Sequence, residues 1–284
     1  MNSISLPEVT LVVFACEGRE HLLRDTLTSF NKCMPYHFSS CILAIDGTYD
    51  LSNLTNHNFD FLIQNIERKG YVRSIINALN CIETEFFFWL EEDWLFSEKI
   101  NLYEFMPLLQ SNPKWVQIRL SKTAPLTVDE KAFNLGEGVF KSIYGFSANP
   151  CLCRTTLIRQ GFYELQQTSR DVSLGFEEFL SQCYQSQNMA CVVVDPGESR
   201  AISHSGYLES TPRQWHMTTS LDGTTNDDYL SGMRGSPPPP LWRKLLMVFR
   251  LLRVFLRIST KQFWSRAAYD LAFRFVASSE EIIG

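Results

Sequence analysis

Three adjacent acids, Glu91, Glu92 and Asp93, follow an apolar run in the stretch EFFFWLEEDWLF, residues 85–96. A short apolar run that is rich in Phe is typical of a strand buried on both of its faces. The acids therefore stand at the end of a predicted buried strand. Neighbouring carboxylates repel each other and lose hydration when they are buried, so this cluster requires a positive charge close by.

The spacing of the acids indicates which charge that would be. Because side chains alternate along a strand, we expect Glu91 and Asp93 to point to one side and Glu92 to point away. Two converging carboxylates suit a hard divalent cation, Mg²⁺ or Mn²⁺, which binds oxygen ligands and readily adds phosphate oxygens. The alternative is an acidic loop in solvent after the strand.

The elements before the acids alternate between strand and helix. Apolar periodicity predicts strands at 9–16 and 40–47, and helices at 21–33 and 70–82, before the Phe-rich strand. This order is typical of an α/β fold, with a doubly wound, mostly parallel sheet flanked by helices. Ligands bind such sheets at the carboxyl ends of the strands. Since Glu17, Asp46 and the three acids fall at those ends, we expect one crevice to collect them.

The rest of the chain divides by composition. Further predicted elements are strands at 114–120 and 189–197, a strand, turn and helix start over 142–160, and a helix at 176–186. Residues 208–236 lack apolar periodicity and precede four prolines, 237–240, which form a stiff spacer. We therefore predict one large domain over 1–207, with halves of about 1–100 and 101–207, then a flexible loop and spacer over 208–240, and a helical appendage over 241–284.

The predicted appendage carries a large excess of positive charge. Residues 241–275 hold eight Lys or Arg and one acid, or +7, so the rest of the −5 chain sums to −12. Within 241–258, one stripe on an otherwise apolar helix holds Arg243, Arg250, Arg253 and Arg257. The charges argue against a transmembrane span and favour an amphipathic helix on an anionic membrane surface. The alternative is a helix whose apolar face packs on the domain.

The cysteines bear on the compartment. There is no CxxC pair, several of the eight cysteines stand inside apolar runs, and the first twenty residues lack the basic start and long apolar run of a signal peptide. We therefore expect reduced cysteines and a cytoplasmic protein, peripheral at the inner face of a membrane. We expect no nucleic-acid partner.

The order of the motifs resembles that of family 2 glycosyltransferases with the GT-A fold, over roughly residues 8–207. The matching features are Asp46 after the second strand, a helix pattern at Asn65, Gly70, Arg73 and Asn77, Glu91-Glu92-Asp93 in the place of the family's DxD, GFEE at 175–178 in the place of Gly-x-Glu-Asp, and HSG at 204–206. The first strand ends in ACEGRE instead of the family's Thr-x-x-Arg type of loop, although Arg19 is well placed.

The resemblance implies a role for each matching residue. The donor-binding residues would be Ala15, Glu17, Arg19, Asp46, Gly70, Arg73, Glu91 and Glu92. Asp46 would hydrogen-bond the base of the nucleotide. Asp93 would ligate the metal that bridges the diphosphate, His204 would complete the metal shell, and Glu91, the third candidate metal residue, would lie near the ribose or a metal-bound water. Glu178, or its neighbour Glu177, would be the base that deprotonates the acceptor.

The resemblance also implies a reaction, the metal-dependent transfer of a sugar from a nucleotide-sugar donor to an acceptor hydroxyl. The predicted membrane helix adds the expectation of a glycan or lipid-linked acceptor. Mn²⁺ or Mg²⁺ would neutralise the charge that develops on the departing nucleoside diphosphate, and a carboxylate would take the proton of the acceptor. Direct displacement with one base would invert the anomeric centre. Two alternatives stay open: a nucleotidyltransferase, for which the loop CEGRE is poor in glycine, and a non-catalytic nucleotide-sugar-binding or scaffolding protein.

Overall fold

A computed structural model describes residues 8–54, 57–66, 70–120, 126–136, 138–167, 175–195 and 201–205. Its strands, β1 to β10, are Val9–Cys16, Ser40–Asp46, Phe61–Asn65, Phe86–Glu91, Trp94–Phe96, Trp115–Arg119, Val139–Lys141, Cys151–Arg154, Ala190–Val194 and Ile202–His204. Its helices, α1 to α6, are Glu20–Cys33, Tyr71–Asn80, Leu102–Ser111, Val128–Ala132, Thr155–Gln167 and Phe176–Ser186. The predicted loop and spacer over 208–240 and the predicted helix over 241–284 lie outside the described residues.

Eight of these strands form one sheet in the order β3-β2-β1-β4-β8-β6-β9-β7. Strands β3, β2, β1 and β4 are parallel, and β6 and β9 run in the same direction as these four. Strands β8 and β7 run in the opposite direction. Apolar clusters bury both faces of the sheet. The predicted fold class, a mostly parallel sheet flanked by helices, is therefore confirmed for the described part of the chain.

Strand β4 lies in the middle of the sheet, and both of its faces are buried. Phe86, Phe88 and Leu90 pack into the cluster that includes the apolar side of α1, whereas Phe87 and Trp89 pack into the cluster that includes α2, α5 and α6. Burial of one such side chain contributes about 1.5–3 kcal/mol. This central strand thus delivers the acids at its end to a rigid position.

The segment before β8 differs from the predicted arrangement. The strand predicted to start near residue 142 begins only at Cys151. Gly145 has a φ of 75°, a conformation that L side chains rarely adopt, and a Cβ at this position would lie 2.5 Å from Ser181 Cβ. The Phe146 amide donates to Ser181 Oγ at 2.9 Å. This segment therefore lies against α6 instead of extending β8.

Two further findings concern the described residues as a whole. No helix among them is long and apolar enough to cross a bilayer. All eight cysteines fall within the described ranges, and each has a free thiol.

Candidate active site

The carboxyl ends of β1, β2 and β4 meet at one edge of the sheet. In the strand register, Cys16 is paired with Asp46, and Phe14 is paired with Glu91. The amide of Glu17 donates to the Asp46 carbonyl at 3.0 Å. The register thus places Glu17, Asp46 and the acid cluster at a common edge, and the expectation that one crevice collects them stays a prediction.

One guanidinium binds two of the three clustered acids. Arg19 Nη1 lies 2.9 Å from Glu92 Oε1, and Arg19 Nη2 lies 2.7 Å from Asp93 Oδ2. The prediction that Glu92 points away from the partner of Asp93 is therefore wrong. Side chains alternate only while a strand continues, and β4 ends at Glu91, so that Glu92 and Asp93 form a turn.

Arg19 is thus the positive charge that the acid cluster requires. Glu92 and Asp93 are only 4% and 5% exposed. Burial and the charge of Asp93 raise the pKa of Glu92 to about 7, although Arg19 acts in the other direction. Burial also raises the pKa of Asp93, but the hydrogen bond from His204 and the guanidinium of Arg19 outweigh it and hold that pKa below its usual range.

Backbone contacts fix the turn that holds these acids. Thr26 Oγ1, on α1, donates to the Glu92 carbonyl at 2.5 Å and accepts from the Trp94 amide at 3.2 Å. Ser205 donates its amide and its hydroxyl to the Asp93 carbonyl at 2.8 and 3.0 Å. The turn is therefore held from two sides, by α1 and by the residue that follows β10.

Glu91 has a different partner from the other two acids. The hydroxyl of Tyr71, on the first turn of α2, donates a short hydrogen bond to Glu91 Oε1. Desolvation and the charge of Asp93 raise the pKa of Glu91 well above its usual range, and Glu177 adds to this effect. Burial and the Glu91 carboxylate likewise raise the pKa of the Tyr71 phenol. Glu91 is therefore held by α2, whereas Asp93 is held by Arg19.

His204 reaches Asp93 because a short second sheet carries it there. Strand β10 pairs with β5, and His204 is opposite Trp94 in the antiparallel register. The imidazole stacks on the Trp94 ring at 4.5 Å between centroids, with 24° between the planes. This stacking sets His204 Nε2 3.0 Å from Asp93 Oδ2.

The pair of Asp93 and His204 fits a divalent cation. Asp93 Oδ1 is buried and has no hydrogen-bond partner among the described residues. An unsatisfied carboxylate oxygen beside an imidazole can serve an ion that completes its shell with water and phosphate. Within the described ranges, no group of three or more His, Cys, Asp and Glu side chains is arranged to hold a metal ion. Of the three predicted ligands, Asp93 and His204 come together, while Glu91 is bound by Tyr71.

Asp46 contacts the last residue of β3 and the residue before α2. It is 1% exposed, its Oδ2 accepts from the Gly70 amide at 3.2 Å, and its Oδ1 accepts from Asn65 Nδ2 at 3.5 Å. Gly70 has a φ of 95°, which only glycine adopts without strain. Its amide can therefore turn toward Asp46 at the start of the helix. The predicted bond from Asp46 to a nucleotide base stays a prediction.

The remaining predicted donor-binding residues surround this edge. Ala15 is buried near the end of β1, and Glu17 is exposed just beyond it, with Oε2 accepting from the Thr48 amide at 3.1 Å. Arg73 is half-buried on α2. Their contact with a donor also stays a prediction.

The two acids of the GFEE motif line a cavity of about 290 Å³ at the start of α6. Glu177 is half-buried, and its Oε1 accepts from the Ala148 amide at 2.6 Å. Glu178 is exposed to the cavity. The first acid therefore fastens α6 to the neighbouring segment, and the second is accessible to a ligand.

Three residues of this region were not predicted from the sequence. Tyr71 directly follows Gly70 in the helix motif, and this position in the motif could have identified it. Arg119 is a charge at the end of the apolar strand WVQIR, a pattern as conspicuous as the acids at the end of β4. Thr26 stands within a helical pattern, where a threonine gives no such signal.

No protein-family model matches the sequence, and no curated protein matches it. Among solved structures, the chain is similar to GalNAc-T7 with UDP, GalNAc and Mn²⁺, with a TM-score of 0.52 and 12% identity, over 70% of this chain and 43% of that chain. The fold is of the GT-A type. Because the match covers 43% of that chain, this chain spans less than half the length of GalNAc-T7.

Two other solved structures are similar at a lower TM-score. One is S. aureus TarS 1–349, with a TM-score of 0.48 and 14% identity, over 70% of this chain and 60% of that chain. The other is the mannosyltransferase PcManGT from Pyrobaculum calidifontis in complex with GDP-Man and Mn²⁺, with a TM-score of 0.49 and 12% identity, over 97% of this chain and 81% of that chain.

Proposed function

We propose that this protein is a glycosyltransferase that moves a sugar from a nucleotide-sugar donor to an acceptor hydroxyl. The observation that carries the proposal is the pair of Asp93 and His204, 3.0 Å apart at the carboxyl edge of a GT-A-type sheet. The unsatisfied Asp93 Oδ1 supports a cation at this point. The structure of GalNAc-T7, which shares the fold, contains UDP, GalNAc and Mn²⁺.

The donor would lie along the carboxyl ends of β1, β2 and β4. Asp93 and His204 would hold Mn²⁺ or Mg²⁺, which, when bound, neutralises the charge that develops on the departing diphosphate. Arg19 orients Asp93 through its 2.7 Å contact, so that Oδ1 remains available to the cation. Asp46 would shape the nucleoside side of the site through the Gly70 amide.

Glu178 would be the general base. It is exposed to the cavity, whereas Glu177 Oε1 is engaged by the Ala148 amide. A positioned carboxylate that takes the acceptor proton typically contributes about 10²–10⁴-fold to the rate. With one base and direct displacement, the reaction would invert the anomeric centre.

The acceptor would be a glycan or a lipid-linked saccharide. This part of the proposal depends on residues 241–258, whose arginine stripe and apolar remainder favour an anionic membrane surface. The protein would then act at the inner, cytoplasmic face of a membrane.

The test is the thermal stability of the protein with UDP-, GDP-, dTDP- and CMP-sugars, each with and without Mn²⁺. A ligand at about 100 times its Kd adds about 2.7 kcal/mol to the free energy of unfolding, or roughly 5–10 °C in Tm for a domain of this size. We expect one nucleotide class to raise Tm only when Mn²⁺ is present. If none does so, the proposal fails.

A second measurement separates an enzyme from a binding protein. The selected sugar nucleotide should be hydrolysed slowly in the presence of Mn²⁺, because water can replace the acceptor. Metal-dependent binding with no hydrolysis and no transfer would instead identify a non-catalytic sugar-nucleotide-binding protein.

A further inference from the structure

The cavity at the start of α6 contains a buried arginine whose charge is not paired with a carboxylate in the part of the chain that the structure describes. Arg119 ends β6 and is 6% exposed. Its Nη2 donates to Ser142 Oγ at 3.2 Å, and its Nε has no hydrogen-bond partner among the described residues. Arg119 forms no salt bridge with any carboxylate of the described ranges, in contrast to Arg19. A serine hydroxyl is therefore the polar contact of this guanidinium.

Such a group is costly to bury without a counterion. Arginine stays protonated in proteins, so burial cannot simply discharge it. Burial lowers the pKa of Arg119, although the carboxylates of Glu130 and Glu177 act in the other direction. Glu177 is already held by the Ala148 amide at 2.6 Å, and neither acid forms a salt bridge with Arg119. The cavity thus holds positive charge that the described side chains do not neutralise directly.

The other lining residues suit a saccharide. Tyr144 is 56% exposed, and together with Phe146 it gives the cavity an aromatic wall. Ser147 and Ser181 add polar atoms, and Glu178 lies in the same cavity. At about 290 Å³, the cavity is close to the lower end of the size range of small-molecule pockets.

We propose that this cavity binds the anionic group, a carboxylate or a phosphate, of an acidic acceptor saccharide through Arg119. The guanidinium fork matches both anions with two parallel hydrogen bonds. The identification of the anion as part of an acceptor rests on the proposed function, because the cavity is lined by the proposed base, Glu178, and not by Arg19 or Asp93. A neutral saccharide would leave the guanidinium unpaired and is therefore disfavoured.

The test is direct binding in the absence of nucleotide. The probes are methyl β-D-glucuronide, its neutral counterpart methyl β-D-glucoside, and inorganic phosphate, and the readout is the NMR signal of the Arg119 Nε–H group together with the Kd. We expect the glucuronide or phosphate to shift this signal and the glucoside to leave it unchanged. Saturation by the glucuronide identifies a carboxylate acceptor, and saturation by phosphate alone identifies a phosphorylated one.

Variants sharpen the test. Arg119→Gln should weaken binding of the anionic probe roughly 10- to 100-fold, since hydrogen bonds to charged groups are lost. Arg24→Gln, an exposed arginine paired with Asp25 at 3.3 Å, is the matched control and should bind like the wild type. Arg119→Lys keeps the charge and loses the two parallel hydrogen bonds of the guanidinium, so it should bind the anionic probe with intermediate affinity. This variant replaces Arg119→Gln in the test if Arg119→Gln does not fold.

Two results would overturn the inference. One is equal binding of the acidic and the neutral glycoside by the wild type, and the other is an unchanged Kd for the anionic probe in Arg119→Gln and Arg119→Lys. Binding of the nucleotide sugar should be the same in Arg119→Gln and the wild type. Anion binding without any nucleotide-sugar binding would contradict the proposed function while leaving the anion site intact, so the two failures are distinguishable.

Discussion

Arg19 is the cation that holds the buried acids Glu92 and Asp93, and its removal tests this electrostatic account. In Arg19→Met, Glu92 and Asp93 lose the guanidinium at side-chain exposures of 5% and 7%, and Asp93 keeps its contact with His204. The arginine itself is 12% exposed. At this burial, solvent screening does not reduce the contacts to the about 0–1 kcal/mol of a surface pair. Removing one partner of a buried pair costs about 3–5 kcal/mol, because a desolvated charge stays behind. We expect a loss of this size in the free energy of unfolding.

The assay is urea unfolding at pH 7, followed by circular dichroism. The matched control is Arg24→Met, which removes an arginine of α1, the helix that Arg19 directly precedes. Arg24 and its partner Asp25 are both exposed, with side chains at 54% and 57%. A surface change of this kind should alter stability by no more than about 0.5 kcal/mol. If Arg19→Met unfolds at the same urea concentration as Arg24→Met, the guanidinium does not neutralise the acid cluster and the reasoning is refuted.

Further predictions concern the base, the helix packing and the membrane. Glu178→Gln should lower turnover roughly 10²–10⁴-fold with an unchanged Kd for the donor, and equal rates would remove it as the base. Gly161→Ala should lower the free energy of unfolding by about 1–3 kcal/mol, since a Cβ would lie 2.7 Å from Leu180 Cδ2 and 2.8 Å from Tyr184 Cζ; an unchanged urea midpoint would show that α5 and α6 separate freely. The full chain should float with anionic vesicles and a chain ending at Ser236 should not; if both sediment at low salt, residues 241–258 do not bind membrane.

Periodicity predicts the elements that are buried on a regular face. Strand β1 and helix α6 begin and end at the predicted residues, 9–16 and 176–186, because their apolar residues repeat with the period of the element. Strand β3 was not predicted. It lies at the edge of the sheet with Phe61 and Leu62 51% and 48% exposed, so its sequence FLIQN lacks the burial pattern of a central strand. Helix α3, which contains Pro107, was missed as well.

The position of the acids at the sheet edge was predictable, but their contacts were not. Acids at strand ends indicate the sheet edge, since parallel strands end together. The contact of Arg19 with Glu92 depends on the residue at which β4 stops, and the bond from Tyr71 to Glu91 depends on how α2 crosses that strand. Both are long-range packing outcomes that a local pattern does not specify. The sequence shows Arg119 as a charge at the end of an apolar strand, but it does not show which residues surround the guanidinium.

The most direct test of the account is calorimetric titration of the wild type and Asp93→Asn in Mn²⁺ and in EDTA, with the nucleotide of the class that the thermal screen selects. Asp93 Oδ1 is the unsatisfied oxygen beside His204, and an amide at this position cannot hold the cation as a carboxylate does. Asp25→Asn, at an exposed position, is the matched control, and circular dichroism checks that each variant is folded. We predict that the wild type and Asp25→Asn bind the nucleotide only with Mn²⁺ and that folded Asp93→Asn does not bind it. Metal-dependent binding by Asp93→Asn with the Kd of the wild type would contradict the account.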